Sequence, residues 1–388
     1  MSTIINARSP YFKKYTNTTQ GYSLSSIQAK ITVWSGLLSA QPATPTYNIT
    51  KGNIGSEEFT NLELSVLVRD FLDTEYYSVT QGITGTADDA VWVKVDVDLY
   101  DGISNFQSES DTFLAFDGYG YWDEGSNPRT SITSTAVPPT NFTPMVFMDN
   151  RIVYFKAGED IRIPIFSESC ANVTTTISSV WNTTDLYWEQ SNINWEATSI
   201  PQNVVDSDNS LDKIQYVIID STSALTGDTI TITSTCGLAQ TVVITLQEIE
   251  CGKYDDFRVI FYNKYGALQD FYMSKKSQKT LKVKSDDYNR NIFNRANNNY
   301  NIAKHQKYTF NLRANQSITL NSEFLPETFN LLVEQLFISE QVWISLVNIV
   351  QPVVVGSRSL KYKTHINDKL IQYTVDFDFS NSYLNNVI

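Results

Sequence analysis

Few residues in this chain are of the types that carry common catalysis. There are two histidines, His305 and His365, and three cysteines, Cys170, Cys236 and Cys251. Both histidines lie in lysine-rich, strand-like surroundings. The sequence holds no H-E-x-x-H, C-x-x-C, G-x-S-x-G or G-x-x-x-x-G-K-[ST] pattern. A zinc enzyme, a thiol oxidoreductase and a P-loop NTPase therefore lack their motifs, and no catalytic, cofactor or metal residue is expected. Asp206-Ser-Asp-Asn-Ser-Leu-Asp212 spaces oxygens as a Ca²⁺ loop does, but Leu211 stands at the sixth place and Val217 at the twelfth, where such a loop needs Gly and Glu. A polar turn is the expectation there. Scattered Asp and Glu could in principle form a glycosidase pair, but the repeated Gly-rich β-helix coils on which polysaccharide-cleaving enzymes often carry one show no period here.

Two clusters point to binding instead. Phe116-Asp-Gly-Tyr-Gly-Tyr-Trp-Asp-Glu-Gly125 sets Tyr119, Tyr121 and Trp122 beside Asp117, Asp123 and Glu124. Aromatic faces next to carboxylates can stack on a sugar ring, anchor a neighbouring subunit, or fold over their own domain. Lys275, Lys276, Lys279, Lys282 and Lys284 form a basic run, with Tyr288, Arg290 and Arg295 beyond it. Phosphate contact, docking on an acidic subunit and a solvated face are its three readings. Asp286 and Asp287 interrupt the run, which weighs against nucleic acid.

The elements that must carry these clusters are mostly strands. The chain has 388 residues, of which 13% are aromatic and 18% charged, a composition that favours folded β structure. No apolar stretch is long enough to span a membrane, and the first residues lack the basic and apolar regions of a secretory leader. The net charge of −13 is uneven. Residues 1–250 hold 12 Lys or Arg against 30 Asp or Glu, and residues 251–388 hold 17 against 12. Such a split fits separate domains with different neighbours, the basic third docking on an acidic partner such as another copy, and it equally fits ordinary solvated surface.

Three segments are expected. Residues 1–145 form a β-rich domain with strands at 26–34, 47–51 and 91–100. Val91, Val93, Val95, Val97 and Leu99 line the inner face of the last strand. Leu62–Leu72 reads as a strand passing into a short helix. Residues 146–250 read as an immunoglobulin-like sandwich, with strands at 151–156, 160–166, 174–180, 214–219, 228–235 and 240–247. Residues 251–388 read as a C-terminal α+β part. It opens with a hairpin around Lys264-Tyr-Gly-Ala267, carries the basic stretch 275–307, largely exposed with strands interspersed, and has one amphipathic helix within Asn321–Phe337. Asn321 or Ser322 would cap that helix, and Phe329, Leu332, Val333, Leu336 and Phe337 would form its apolar stripe. Strands at 342–347, 351–356 and 370–379 follow. The fold class is thus mainly β, with tandem sandwich-like domains.

Four motifs stand out in the first segment: Arg8-Ser-Pro-Tyr-Phe, Ile31-Thr-Val-Trp-Ser-Gly36, Pro45-Thr-Tyr-Asn-Ile-Thr-Lys51 and Leu64-Ser-Val-Leu-Val-Arg-Asp-Phe71. Three more stand in the last third: Arg258-Val-Ile-Phe-Tyr-Asn-Lys-Tyr-Gly-Ala267, Leu320-Asn-Ser-Glu-Phe-Leu325 and Ile371-Gln-Tyr-Thr-Val-Asp-Phe377. Together they resemble virion proteins of tailed phages that infect Bacteroidetes, the crass-like phages among them. The likeness covers most of the first and last segments and is weak in the middle. It implies a non-enzymatic structural subunit in the tail region of a virion, assembled in the host cytoplasm as part of a ring, hub or adaptor. Its partners would be copies of itself and other tail or neck proteins, with nucleic acid at most passing through. The alternative is a receptor- or glycan-binding tail adhesion protein.

Overall fold

The computed structural model describes residues 3–36, 38–53, 58–72, 76, 90–127, 146–166, 173–178, 200–204, 214–221, 224, 226–234, 240–249, 252–346, 349–356 and 370–384. The fold is mainly β, as the sequence predicts. The chain divides into two compact units. One is Met1–Glu250 with Phe261–Asp270, and the other is Cys251–Ile260 with Phe271–Ile388. The three cysteines, His365 and the Asp206–Asp212 turn lie outside the described residues.

The first unit opens with β1 (Thr3–Asn6), β2 (Phe12–Thr16), β3 (Ser26–Ser35), β4 (Tyr47–Gly52), β5 (Phe59–Glu63), α1 (Ser65–Arg69), β6 (Ala90–Tyr100) and β7 (Asn105–Phe116). Five of these strands make one sheet in the order β1-β7-β6-β3-β4, and β2 pairs with β5. The anticipated inner face of β6 is buried from Val91 to Leu99. It shares a core with Ile27, Ala29, Ile31 and Val33 of β3, closed by Tyr15, Leu62, Leu64 and Val68. Each such aliphatic side chain contributes roughly 1.5–3 kcal/mol by leaving water. β7 was not anticipated, because its first half is Ser-, Asp- and Glu-rich. The pairing explains it. Ser108 and Ser110 lie opposite Asp98 and Asp96 on the outer face, and each hydroxyl donates to its facing carboxylate at 2.6 Å. The turn into β7 is held by Asp101, whose carboxylate accepts the amides of Ser104 and Ile103. These bonds, that from Ser104 foremost, keep its carboxyl below the usual range.

A second core lies between two sheets built from β8 (Ile152–Phe155), β9 (Ile161–Phe166), β10 (Val173–Ser178), β11 (Ile200–Val204), β12 (Ile214–Ile219), β13 (Thr229–Ser234) and β14 (Gln240–Glu248). One sheet runs β11-β10-β13-β14-β8 and the other pairs β9 with β12. Ile161, Ile163 and Ile165 face Ile230, Ile232, Ile244 and Leu246 within one cluster. Period-2 alternation on both sheets produces this sandwich. The opposite face of β9–β12 is occupied too. The Tyr216 hydroxyl accepts the Leu268 amide at 2.8 Å. Arg162 Nε donates to Asp270 Oδ2 at 2.9 Å, and Arg162 Nη2 meets Asp270 Oδ1 in a nearly buried pair. Residues 261–270 thus belong to this unit, although an expected boundary lay at 250.

The second unit contains β15 (Phe257–Tyr262), β16 (Leu268–Met273), β17 (Gln278–Asn289), β18 (Phe293–Asn294), β19 (Asn299–Tyr300), β20 (Lys307–Pro326), α2 (Asn330–Ile338), β21 (Val342–Leu346), β22 (Ile349–Val355) and β23 (Leu370–Phe379). The last two residues of β15 and the first three of β16 fall in the segment assigned to the first unit. The sheet order is β16-β15-β21-β22-β23-β20-β17. The apolar stripe of α2 is as read from the sequence, with Phe329, Leu332, Val333, Leu336 and Phe337 all buried. Its start is not. Asn321 and Ser322 cap no helix, because β20 continues to Pro326 and the helix begins after a 3-10 turn at Glu327–Phe329. Ala314, Ile318, Leu320 and Ser322 are buried at even positions, a strand period that the helical spacing downstream concealed. No helix among the described residues is long and apolar enough to cross a membrane.

Candidate interaction surfaces

The aromatic cluster after β7 divides into a buried and an exposed part. Asp117 and Gly118 run tightly against Lys264–Gly266. A Cβ on Gly118 would lie 2.7 Å from Asn6 Oδ1 and 2.9 Å from the Lys264 carbonyl oxygen. Gly266, at φ +78°, has the Asp117 backbone within 3.0 Å of where a Cβ would sit. Tyr119 is buried, its amide donates to the Lys264 carbonyl at 2.9 Å, and the Arg8 guanidinium lies over its ring. Tyr121 packs edge-on against Tyr119, with the Lys264 ammonium 5.5 Å from its ring centre. Ser9 Oγ accepts the Gly120 amide. Tyr119 and Tyr121 are therefore joined to their own unit.

Trp122 is the exception. It opens a single 3-10 turn, Trp122–Glu124, and is 99% exposed. Asp123 and Glu124 are exposed beside it. An indole held fully in water on a one-turn support leaves a large apolar area uncovered.

Beneath this loop, Asn263 fixes the turn that meets it. The side chain is fully buried. Its Nδ2 donates to the Phe147 carbonyl at 2.6 Å and to Gln269 Oε1 at 3.1 Å. Its Oδ1 accepts the amides of Tyr265 and Ala267. Tyr265 stacks on Phe147 and donates its hydroxyl to Asp149. The Arg8 motif, the aromatic loop and the Asn263-Lys-Tyr-Gly-Ala267 motif, far apart in sequence, form one assembly.

The basic run occupies the second unit and divides as well. Lys275 is paired with Glu323 at 2.5 Å, and the Lys276 carbonyl accepts from Asn321 Nδ2. These two residues tie the start of the run to β20. Lys279 lines a cavity of about 200 Å³ with Phe257, Ile344, Ile349, Gln351 and Phe379. Phe257 and Lys279 come from strands with four others between them in the sheet order, so the sheet curls strongly.

Lys282 and Lys284 stand on a projecting ribbon. β17 pairs with β20 from Gln278↔Thr319 out to Asn289↔Lys307, whereas β23 pairs with β20 only from Ser317 inward. Outward of that point the ribbon has two strands, and it continues through the β18–β19 pair toward its tip. At about 3.4 Å per residue, β17 alone is roughly 40 Å long. Successive side chains of a strand point to opposite faces, so packing on either face would bury every second residue. All twelve residues of β17 are exposed. Both faces of β17 therefore lie open along its length, while on β20 the face shared with Val283 is covered at Ala314, which is buried and whose carbonyl accepts the Tyr383 amide at 3.2 Å.

Alternation places Lys282, Lys284 and Tyr288 on one face of β17, and Lys279, Leu281 and Val283 on the other. Tyr288 meets Tyr308 and Phe310 across the strands, and the Arg290 guanidinium lies 4.2 Å from the Tyr308 ring centre. Phe293 meets Tyr300, and Ile302 near the tip is 95% exposed. An isolated two-stranded hairpin is marginal in water, and cross-strand aromatic pairs of this kind support it. On the opposite face Lys307 pairs with Asp287 at 2.8 Å. That hydrogen bond, with one from Thr309, holds the Asp287 carboxyl below its usual range, and Asp287 pushes the Lys307 ammonium up. A register shift between Lys284 and Asp286, with Asn311 at φ +50°, adds a bulge midway. Phe293, Tyr300 and Phe310 were not singled out from sequence. The available signal was large apolar residues recurring within a Lys- and Asn-rich stretch.

Among the described residues, no group of three or more His, Cys, Asp or Glu side chains is placed to hold a metal ion. No protein-family model matches the chain, and a search of curated proteins finds no match.

Proposed function

We propose that this protein is a non-enzymatic structural subunit of a tailed-phage virion, a ring, hub or adaptor component of the tail region. The observation that carries the reading is the ribbon of β17 and β20. A two-stranded element with one strand, β17, exposed on both faces, and with Tyr288, Phe293, Tyr300, Ile302 and Phe310 in water, suits a subunit finished by its neighbours. The placement in a virion rests on the resemblance of the quoted motifs. The five-plus-two division of strands supports reading residues 146–250 as an immunoglobulin-like module.

A glycan- or receptor-binding role is the second reading, favoured by Trp122 with its flanking carboxylates. Composition analysis and an electron-microscopy reconstruction of purified particles test the first. The expected result is a fixed, symmetric number of copies near the tail. Absence from particles would end it, and glycan-array binding by an isolated monomer, lost in Trp122→Ala, would establish the second.

A further inference from the structure

We propose that the β17–β20 ribbon is an assembly arm that docks on the acidic surface of a second copy of this chain. The inference rests on the structural-subunit reading above and names the element and the partner that reading leaves open. Charge is the first argument. Residues 278–313 carry eight Lys or Arg against two Asp, a net of +6, which leaves −19 on the rest of the chain. The polypeptide thus supplies both halves of a complementary pair. Chemistry is the second. The face with Lys282 and Lys284 also carries Tyr288 and Phe310, and the other face carries the aliphatic Leu281 and Val283, all about half exposed. Aliphatic side chains gain by meeting a dry protein surface, not phosphates, and Asp286 and Asp287 would repel a phosphate backbone.

Geometry is the third. β17 is the edge of its sheet, and among the described residues no named strand pairs with β20 beyond Ser317, where the Tyr383 amide reaches the Ala314 carbonyl. The β17 edge, and the β20 edge outward of Ala314, carry backbone groups able to pair with another chain. The bulge and the lysines disfavour pairing of one ribbon with another ribbon, because like charges would face each other. An acidic surface elsewhere on the molecule does not meet that obstacle. A contact between unlike patches is heterologous, and repeated around an axis it closes a ring.

The test mixes isotope-labelled and unlabelled full-length protein and treats the mixture with a zero-length carbodiimide that joins amines to carboxylates. Mixed-isotope links from Lys282 or Lys284 to Asp or Glu within residues 1–250 are expected. In parallel, Lys282→Glu with Lys284→Glu, and separately Tyr288→Ser with Phe310→Ser, should weaken self-association in sedimentation by at least about tenfold, with an unchanged melting transition of the remainder. Wild-type association should also weaken with salt. Association undiminished in both variants overturns the arm while leaving a structural subunit standing. So does a wild-type protein that stays monomeric and unlinked yet is found in particles. Salt-sensitive binding of a short DNA duplex, abolished by the lysine changes and without self-association, would overturn it in favour of nucleic acid. Absence from particles with the links present would instead remove the virion reading and keep the arm.

Discussion

Asn263 shows how much a single uncharged side chain can organise. Both ends of its amide are used, with four partners drawn from its own turn, from Gln269 and from Phe147. Alanine there leaves a buried carbonyl and two buried amides to find other partners, at about 1–3 kcal/mol each. Asn263→Ala is therefore expected to lower unfolding free energy by roughly 3–5 kcal/mol, read from urea midpoints at unchanged slope. Asp270→Ala should cost a similar amount, about 3–5 kcal/mol, because it takes the paired carboxylate away from the nearly buried guanidinium of Arg162. Asp270→Asn, which keeps acceptors for Arg162, should cost less. Polar residues of this kind are opaque in sequence. Asn263 reads as a turn residue, and only contact with Phe147, more than a hundred positions away, makes it an interior one.

At the level of elements, legibility followed burial on one face. β3, β6 and β23 announce themselves by alternating apolar residues, and the structure places each within a residue or so of its expected span. β7 hides because its outward serines are partnered by aspartates of β6. The strands expected within 275–307 are there, but the bounds of β17 hide for the opposite reason, since a strand with no packed face has no alternation to display. The helix misreading at Asn321 and Ser322 has a specific cause. The β20–β23 register shifts between Asn321 and Phe324, and there the buried Ser322 hydroxyl accepts the Tyr373 amide at 2.9 Å while donating to the Glu323 carbonyl. A residue suited to capping a helix instead completes a strand ladder across a bulge. Ser322→Ala should cost about 1–3 kcal/mol by leaving the Tyr373 amide unpaired. Native-state hydrogen exchange should show faster exchange at that amide, whereas a capping role would have placed the change in α2. The candidate lysines were only partly readable. Nothing in Lys275–Lys284 distinguishes a lysine held by Glu323 from one left in water.

Over the whole molecule, the charge split foreseen from sequence narrows to one element. The ribbon concentrates the positive charge, and the chain without it is strongly acidic. The connectivity was less visible. The polypeptide leaves the first unit at residue 250, returns for residues 261–270 and leaves again. A fragment of residues 1–275 should therefore melt in a cooperative transition and keep its near-ultraviolet dichroism. A fragment of residues 1–250, lacking Tyr265, Leu268 and Asp270, should bind a hydrophobic dye and melt broadly. Equal cooperativity of the two would show that the returning segment adds nothing to the first unit. The same path sets an order for biosynthesis. Translation proceeds from the N-terminus, so the amino-terminal body stays unfinished while its first 250 residues emerge from the ribosome. It can close only when the later hairpin has been delivered, which makes that stretch of nascent chain the point where chaperone protection matters most.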